Sequence, residues 1–191
     1  MFNIVSLLNT DVVRLMRPPV GLDLGDLSVK IVQLDKRRQG HVVRSFAKAG
    51  VAAGTISSGE IQDPQALSDA IQRAFEAGKP KRPNTNRVMC SIPETKAFLR
   101  IIDMPILEEE EFSEAIRWEI EENIPLSLDQ VYYDYQILER RLNDDERDRQ
   151  SVLIVAVAKR IVDSFIEVVE NNTGDSAASA GFENRSTRTC R

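Results

Sequence analysis

The residues best placed to do chemistry lie in one short stretch: Asp23, Gly25, Asp26, Leu27, Ser28 and Lys30. They belong to Val20-Gly21-Leu22-Asp23-Leu24-Gly25-Asp26-Leu27-Ser28-Val29-Lys30-Ile31-Val32-Gln33-Leu34. Apolar residues lead into an acid, a glycine and a hydroxyl-bearing turn, and a lysine opens a second apolar run. The pattern reads as a β-hairpin whose turn can wrap a phosphate. Gly25 lets the backbone approach an anion. Turn amides, the Ser28 hydroxyl and the Lys30 ammonium are donors to phosphate oxygens, and Asp23 can hold a hydrated metal ion through water. The same pattern also fits a hairpin that binds nothing, because Asp-Gly turns beside a lysine are common.

The surrounding sequence predicts the elements that would position this turn. Pro18-Pro19 forces extended chain before a strand at Val20 to Leu24. A second strand, Val29 to Leu34, ends in the basic turn Lys36-Arg37-Arg38-Gln39-Gly40, and a third runs from His41 to about Val51. Three strands joined by short turns are antiparallel neighbours. The basic turn can contact phosphate or acidic lipid, but reads first as a solvated hairpin end. After a loop with Gly54, Ser57, Ser58 and Gly59 comes a helix with clear punctuation: Asp63 as N-cap, Pro64 in its first turn and Gly78 past its end. Its buried stripe is Ala66, Leu67, Ala70, Ile71, Ala74 and Phe75. Lys79 to Arg87 reads as a connector and Val88 to Ile92 as a short apolar strand holding a buried thiol, Cys90.

Beyond Pro93 a strand is predicted over Ala97 to Met104, closed by Pro105. Glu108 to Glu111 opens a helix, where carboxylates complement the positive helix end. Phe112, Ala115, Ile116, Ile120 and Ile124 form its stripe, and Pro125 stops it. Strands follow at Gln130 to Leu138 and Val152 to Ala158, joined by the charged loop Glu139 to Arg149 with Asn143-Asp144-Asp145 at its centre. Ile161, Val162, Phe165, Ile166 and Val169 stripe a last helix that ends near Gly174. The chain therefore reads as α/β in two units, βββαβ and then βαββα.

With 191 residues, 42% of them hydrophobic, the chain can bury a substantial core, and its net charge of −5 argues against a nucleic-acid-binding body. Cys90 and Cys190 form no disulfide framework or zinc spacing, which points to a reducing compartment. Met1 to Met16 carries Asp11 and Arg14 within its apolar stretch, so it is not read as a signal peptide. No segment reaches the ~20 apolar residues of a membrane span, so a cytoplasmic protein is expected. Phe2, Ile4, Val5, Leu7 and Leu8 suit a short amphipathic segment, preferably packed on the protein's own body.

Two blocks carry a family resemblance. The first is Gly21 to Lys30, which is similar to the first phosphate motif of actin-like proteins. The second is Leu99-Arg100-Ile101-Ile102-Asp103-Met104-Pro105, then Ala115-Ile116-Arg117-Trp118-Glu119-Ile120-Glu121-Glu122-Asn123-Ile124-Pro125-Leu126, then Val131-Tyr132-Tyr133-Asp134-Tyr135 and Val152 to Arg160. Together they resemble the PilM family of type IV pilus assembly proteins and, more distantly, the FtsA division proteins, over roughly Val20 to Thr173. The resemblance implies an actin-like, ribonuclease-H-like subdomain 1A start over 20–93, after an N-terminal arm at 1–19. It also implies an inserted strand-helix-strand-strand-helix subdomain of the 1C or SHS2 type over 94–173. It implies an ATP–magnesium site, with Asp23 near the metal through water, Gly25, Asp26, Leu27 and Ser28 around phosphate, and Lys30 neutralising it. It further implies a partner, the N-terminal cytoplasmic peptide of the inner-membrane protein PilN. The chain would then sit peripherally at the inner membrane, joined to the pilus platform through that partner and not through lipid. Residues 174–191 lack apolar period, read as a disordered tail and do not resemble the family's continuation, so a truncation or frame shift and weak or absent ATP binding are expected. The expected activity is scaffolding, not catalysis. The alternatives are an active actin-like ATPase, the cytoplasmic module of a type II secretion platform, or an FtsA-like division protein.

Six residues outside the turn merit separate expectations. Glu119 falls inside the apolar stripe, either as a stripe-edge carboxylate reaching water or as a contact to the peptide. Trp118 lies off the stripe's centre and is expected to pack within the chain more readily than to line an interface. His41, the single histidine, reads as a surface residue. Tyr132, Tyr133 and Tyr135 alternate along a strand, one face buried and the other exposed.

Overall fold

The computed structural model describes residues 18–85, 87–141 and 148–173. The Met1 to Met16 segment, Asn143-Asp144-Asp145, Cys190 and the 174–191 tail lie outside the described residues. Contacts divide the chain into two compact units. Of the described residues, the first takes in 18–57, Ile61–Ser91 and 167–173; the second takes in Ser58–Glu60 and Ile92–Ile166.

The first unit is a five-stranded sheet under one helix. Its strands are β1 (Val20–Leu24), β2 (Ser28–Arg37), β3 (Gly40–Gly50), β6 (Lys79–Pro80) and β7 (Val88–Cys90), in the order β6-β3-β2-β1-β7. β1, β2 and β3 pair antiparallel, as short connections require, while β7 lies parallel to β1. Alternation sends Val20, Leu22, Leu24, Val29 and Ile31 to one face. There they are buried with Leu67, Ala70, Ile71 and Ala74 of α1 (Pro64–Glu76), which packs on β2 and β3. The Asp63 carboxylate caps α1 by accepting from the Ala66 amide at 3.0 Å. The opposite sheet face is open among the described residues: Val32, Phe46 and Met89 are 41%, 57% and 66% exposed.

Between β3 and α1, β4 (Ile56–Ser57) and β5 (Glu60–Ile61) make a minimal two-stranded ladder. Ser58 and Gly59 turn it with φ of 51° and 73°.

The structure corrects three strand limits. β2 runs three residues further into the basic segment than Leu34 suggests and β3 begins one residue earlier, at Gly40, leaving only Arg38 and Gln39 as the turn. Arg37 is thus a strand residue, 3.6 Å from Asp35, and not part of a free basic loop. Lys79–Pro80, read as connector, pairs with Ser45 and Phe46 as an edge strand. Two residues show no periodicity for a sequence reading to detect. In the second unit, the loop expected from Glu139 to Arg149 is shortened by strands that extend through Arg141 and begin at Arg149.

The second unit is a three-stranded antiparallel sheet in the order β8 (Ala97–Pro105), β10 (Arg149–Ala158), β9 (Val131–Arg141). α2 (Glu109–Asn123) supplies Phe112, Ile116 and Ile120 to a core with Ile102, Met104, Val131, Val152 and Ile154. Phe112 meets Tyr135 edge-to-face, with ring centroids 5.1 Å apart. α3 (Lys159–Thr173) follows β10 directly.

Glu60 ties the two ends of this unit together. Its Oε1 accepts from Lys96 Nζ at 2.7 Å, at the entry to β8, and from Arg160 at 3.2 Å, at the start of α3. Beside it Gly59 leaves no room for a side chain: a Cβ would stand 3.0 Å from Lys96 and 3.2 Å from Pro93. Hydrogen bonds from Lys96 and then Arg160 lower the Glu60 pKa from 4.5 to about 2. The pairing therefore stabilises the fold fully above the unfolded value of 4.5 and loses its effect as pH falls toward 2. A Glu60→Gln variant is expected to melt below the parent at pH 7. Thermal melts in acid should show the gap closing as pH falls from about 5 to about 2. A gap independent of pH would mean that Glu60 acts by packing alone.

Candidate functional site

The turn predicted to wrap phosphate forms at the predicted place, but it closes on itself. The Gly25 amide donates to the Ser28 carbonyl at 3.1 Å, and the Ser28 amide donates back to Gly25 at 3.3 Å. Two of the amides expected to face an anion are thus used within the hairpin. Asp26 and Leu27 sit at its tip, where Leu27 is 77% exposed, and Ser28 is buried. Gly25 has no positive φ, and a Cβ there would meet the Ser28 carbonyl at an ordinary 3.5 Å. The backbone does not demand this glycine. What its missing side chain does is leave the turn uncovered.

Register brings the charged residues together. Asp23 on β1 lies opposite Lys30 on β2, which lies opposite Lys48 on β3. Lys30 Nζ donates to Asp23 Oδ2 at 2.8 Å, and Ser91 Oγ, just past β7, donates to Oδ1 at 3.2 Å. Sequence reasoning named Asp23 and Lys30 but missed Ser91 and Lys48. Ser91 lies 68 residues away, so only the parallel pairing of β7 with β1 brings it in. Lys48 was readable only through the β2–β3 register. The Lys30 hydrogen bond, opposed by partial burial, holds the Asp23 carboxyl below its ordinary range. Each carboxylate oxygen of Asp23 accepts one bond and keeps a further lone pair, so a metal-bound water would share the group with Lys30 and Ser91. The lysines and the tip amides suit a phosphate.

Cys90 is half-buried, less than the buried thiol expected. Burial, and then the Asp23 charge, push its thiol up to about 12, which makes it a poor nucleophile.

A family model described as type IV pilus assembly protein PilM matches residues 21–176, from the strand that carries Asp23 to the end of the last helix. This chain belongs to the PilM family. The fold agrees. The solved PilM-PilN type IV pilus biogenesis complex matches with a TM-score of 0.67 at 22% identity, over 82% of this chain and 45% of that one. A second, weaker likeness (TM-score 0.46, 14% identity, 82% of this chain and 53% of that one) is to the cytoplasmic domain of EpsL, an inner-membrane component of the type II secretion system of Vibrio cholerae. The chain spans about half the length of these proteins. Its mixed α/β fold is that of the N-terminal part of a PilM.

Other expectations divide on exposure. Trp118 does not pack within the chain: it is 71% exposed on α2. A large apolar side chain normally signals core, but its position on the wheel turns it from the Phe112, Ile116 and Ile120 stripe. Glu119 is half-buried and its carboxylate accepts from Asn123 at 3.1 Å, as a stripe-edge residue would. His41 is exposed.

Lys30→Gln is expected to raise the Asp23 pKa toward its ordinary value, read by carboxyl NMR titration. Because the pair is exposed, the loss at neutral pH is about 0.2–1 kcal/mol and fades as pH drops through the folded pKa. In a Cys190→Ser background, Cys90 should resist a thiol reagent at pH 8, and Asp23→Asn should speed the reaction. Rapid modification of the parent would contradict the half-buried, charge-suppressed thiol.

Proposed function

We propose that this chain is a type IV pilus assembly scaffold that holds the N-terminal cytoplasmic peptide of PilN, and that it does not turn over nucleotide. The supporting observation is its fold likeness to a PilM solved with PilN, joined to family membership over residues 21–176. Groove recognition of an extended peptide needs apolar pockets with a few backbone partners. The partner places the chain at the cytoplasmic face of the inner membrane. No described helix is long and apolar enough to cross a bilayer.

The turn supports the non-catalytic half of the reading. Phosphoryl transfer rests on positioning and charge stabilisation. Here Asp23 is occupied by Lys30 and Ser91, and the Gly25 and Ser28 amides are spent on each other. If ATP and magnesium are bound, Lys30, Lys48, Ser28 and the tip amides would hold phosphate, and the metal would supply charge neutralisation there. One observation favours nucleotide binding as a second reading: Gly25 is not required by the backbone, yet it keeps the turn bare.

Calorimetric titration separates the readings. A synthetic PilN N-terminal peptide should give saturable 1:1 heat, and ATP–magnesium little or none over the same range. Nucleotide binding accompanied by phosphate release, both lost in Lys30→Gln, would overturn the non-catalytic assignment. Failure of the peptide to bind the folded chain would overturn the scaffold.

A further inference from the structure

α2 breaks a local rule with no return inside the molecule. Its last turn has no basic residue, although the negative end of a helix is stabilised by cations. Glu119, Glu121 and Glu122 stand there instead. Only Glu119 is answered, by Asn123. Such departures mark places where a sequence gives up stability for function.

The acids have a centre. At 100° per residue, Glu111, Glu114, Glu121 and Glu122 fall within about 60° of Trp118 on the helix surface. All four are exposed, and none has a hydrogen-bonding or ion-pairing partner among the described residues. Glu111 and Glu114, three apart, repel each other on this face. Trp118, at 71% exposure, is the largest apolar side chain the described structure offers to solvent. An indole held open inside a collar of unneutralised carboxylates is complementary to one chemistry. Its ring face attracts an ammonium or guanidinium, its edges take alkyl stems, and the carboxylates pair with further cations.

We propose that the Trp118 face of α2 docks a lysine- or arginine-rich amphipathic segment of a partner protein. Tryptophan and arginine pairs of this kind dominate the binding energy of many interfaces. A lipid surface fits poorly: membrane-seeking faces set lysine and arginine around their aromatics, and an anionic bilayer would be repelled by this collar. The proposal is independent of the PilN-peptide reading and of the phosphate turn.

Trp118 is the single tryptophan of the chain, so its emission reports this face alone. The full chain is titrated with a lysine–leucine amphipathic peptide and with its glutamate–leucine counterpart, following Trp118 emission and the anisotropy of labelled peptide. The basic peptide should saturate, shift emission to the blue and weaken with added salt; the acidic peptide should do neither. Trp118→Ala and Glu114→Gln/Glu122→Gln should each weaken anisotropy binding by about tenfold. The charge-matched Asp69→Asn/Glu76→Gln on α1 should stay within about twofold. Circular dichroism confirms folding, since every substituted side chain is exposed. Equal weakening in the control pair would reduce the effect to net charge and overturn the proposal. So would a blue shift with phosphatidylglycerol vesicles but not with peptide, which would make this a membrane face.

Discussion

The antiparallel pairing of Val20–Leu24 with Val29–Gln33 is the constraint on which the first unit depends. Strand side chains alternate, so one register decides both faces at once. It puts Val20, Leu22, Leu24, Val29 and Ile31 beneath α1, and in the same step sets Asp23 against Lys30 on the other side. A slip by one residue would bury the ion pair and expose the core, a double penalty that specifies the pairing strongly. The charged row is therefore a consequence of the core: hydrophobic burial holds the strands, and the strands hold Asp23, Lys30 and Lys48 in line. Ser91 joins only because β7 lies parallel to β1 on the far side. Parallel strands need a long connection, and α1 with its short edge strand provides it.

The second unit is organised differently. Its core lies between one helix and one sheet, with Phe112, Ile116 and Ile120 spaced so that a single α2 stripe covers Ile102, Val152 and Ile154. Hydrophobic burial fixes that packing but says little about where the chain enters and leaves. Glu60 does this with charge, binding Lys96 at one end and Arg160 at the other through one oxygen. The bridging acid opens β5, far earlier in the sequence, where Gly59 provides both the φ of 73° and the closeness that bring it in.

Much of this was legible in the sequence, for reasons that also explain what was not. β1, the Asp63 cap with Pro64, and the stripes of α1 and α2 were readable because local patterns encode them and packing agrees. The longer β2 and β3 were not. Lys36 and Arg37 are charged, and charge near a glycine reads as turn, whereas the hairpin needs only two residues to reverse and the backbone ladder continues regardless of side-chain polarity. β6 has two residues and no pattern to read. Ser91 and Lys48 were invisible because tertiary register, not spacing, places them. Trp118 was misjudged through the one-way nature of the burial rule: apolar residues fill cores, yet a large apolar residue need not be in one. Asp23 to Lys30 were read as a group, and the structure places them in one hairpin. Their mutual neutralisation was not foreseen, because a list of donors does not say which are already spent.

The two charged features use carboxylates in opposite ways. At the turn, Asp23 is matched by Lys30 and Ser91, and the local field is largely cancelled before any ligand arrives. An anion there must displace bonds already made, which sets binding against an internal competitor and lowers net gain. On α2, Glu111, Glu114, Glu121 and Glu122 are matched by nothing among the described residues, so the field reaches into solvent around an exposed indole. A cationic partner there removes repulsion and breaks no internal bond. A surface left electrostatically incomplete steers encounter as well as binding, because an unscreened field acts out to about 8–10 Å while a contact pair does not. The two surfaces therefore differ in what a ligand meets: at the turn an incoming anion competes with Asp23 for Lys30, while on α2 an incoming cation competes with no bond made among the described residues.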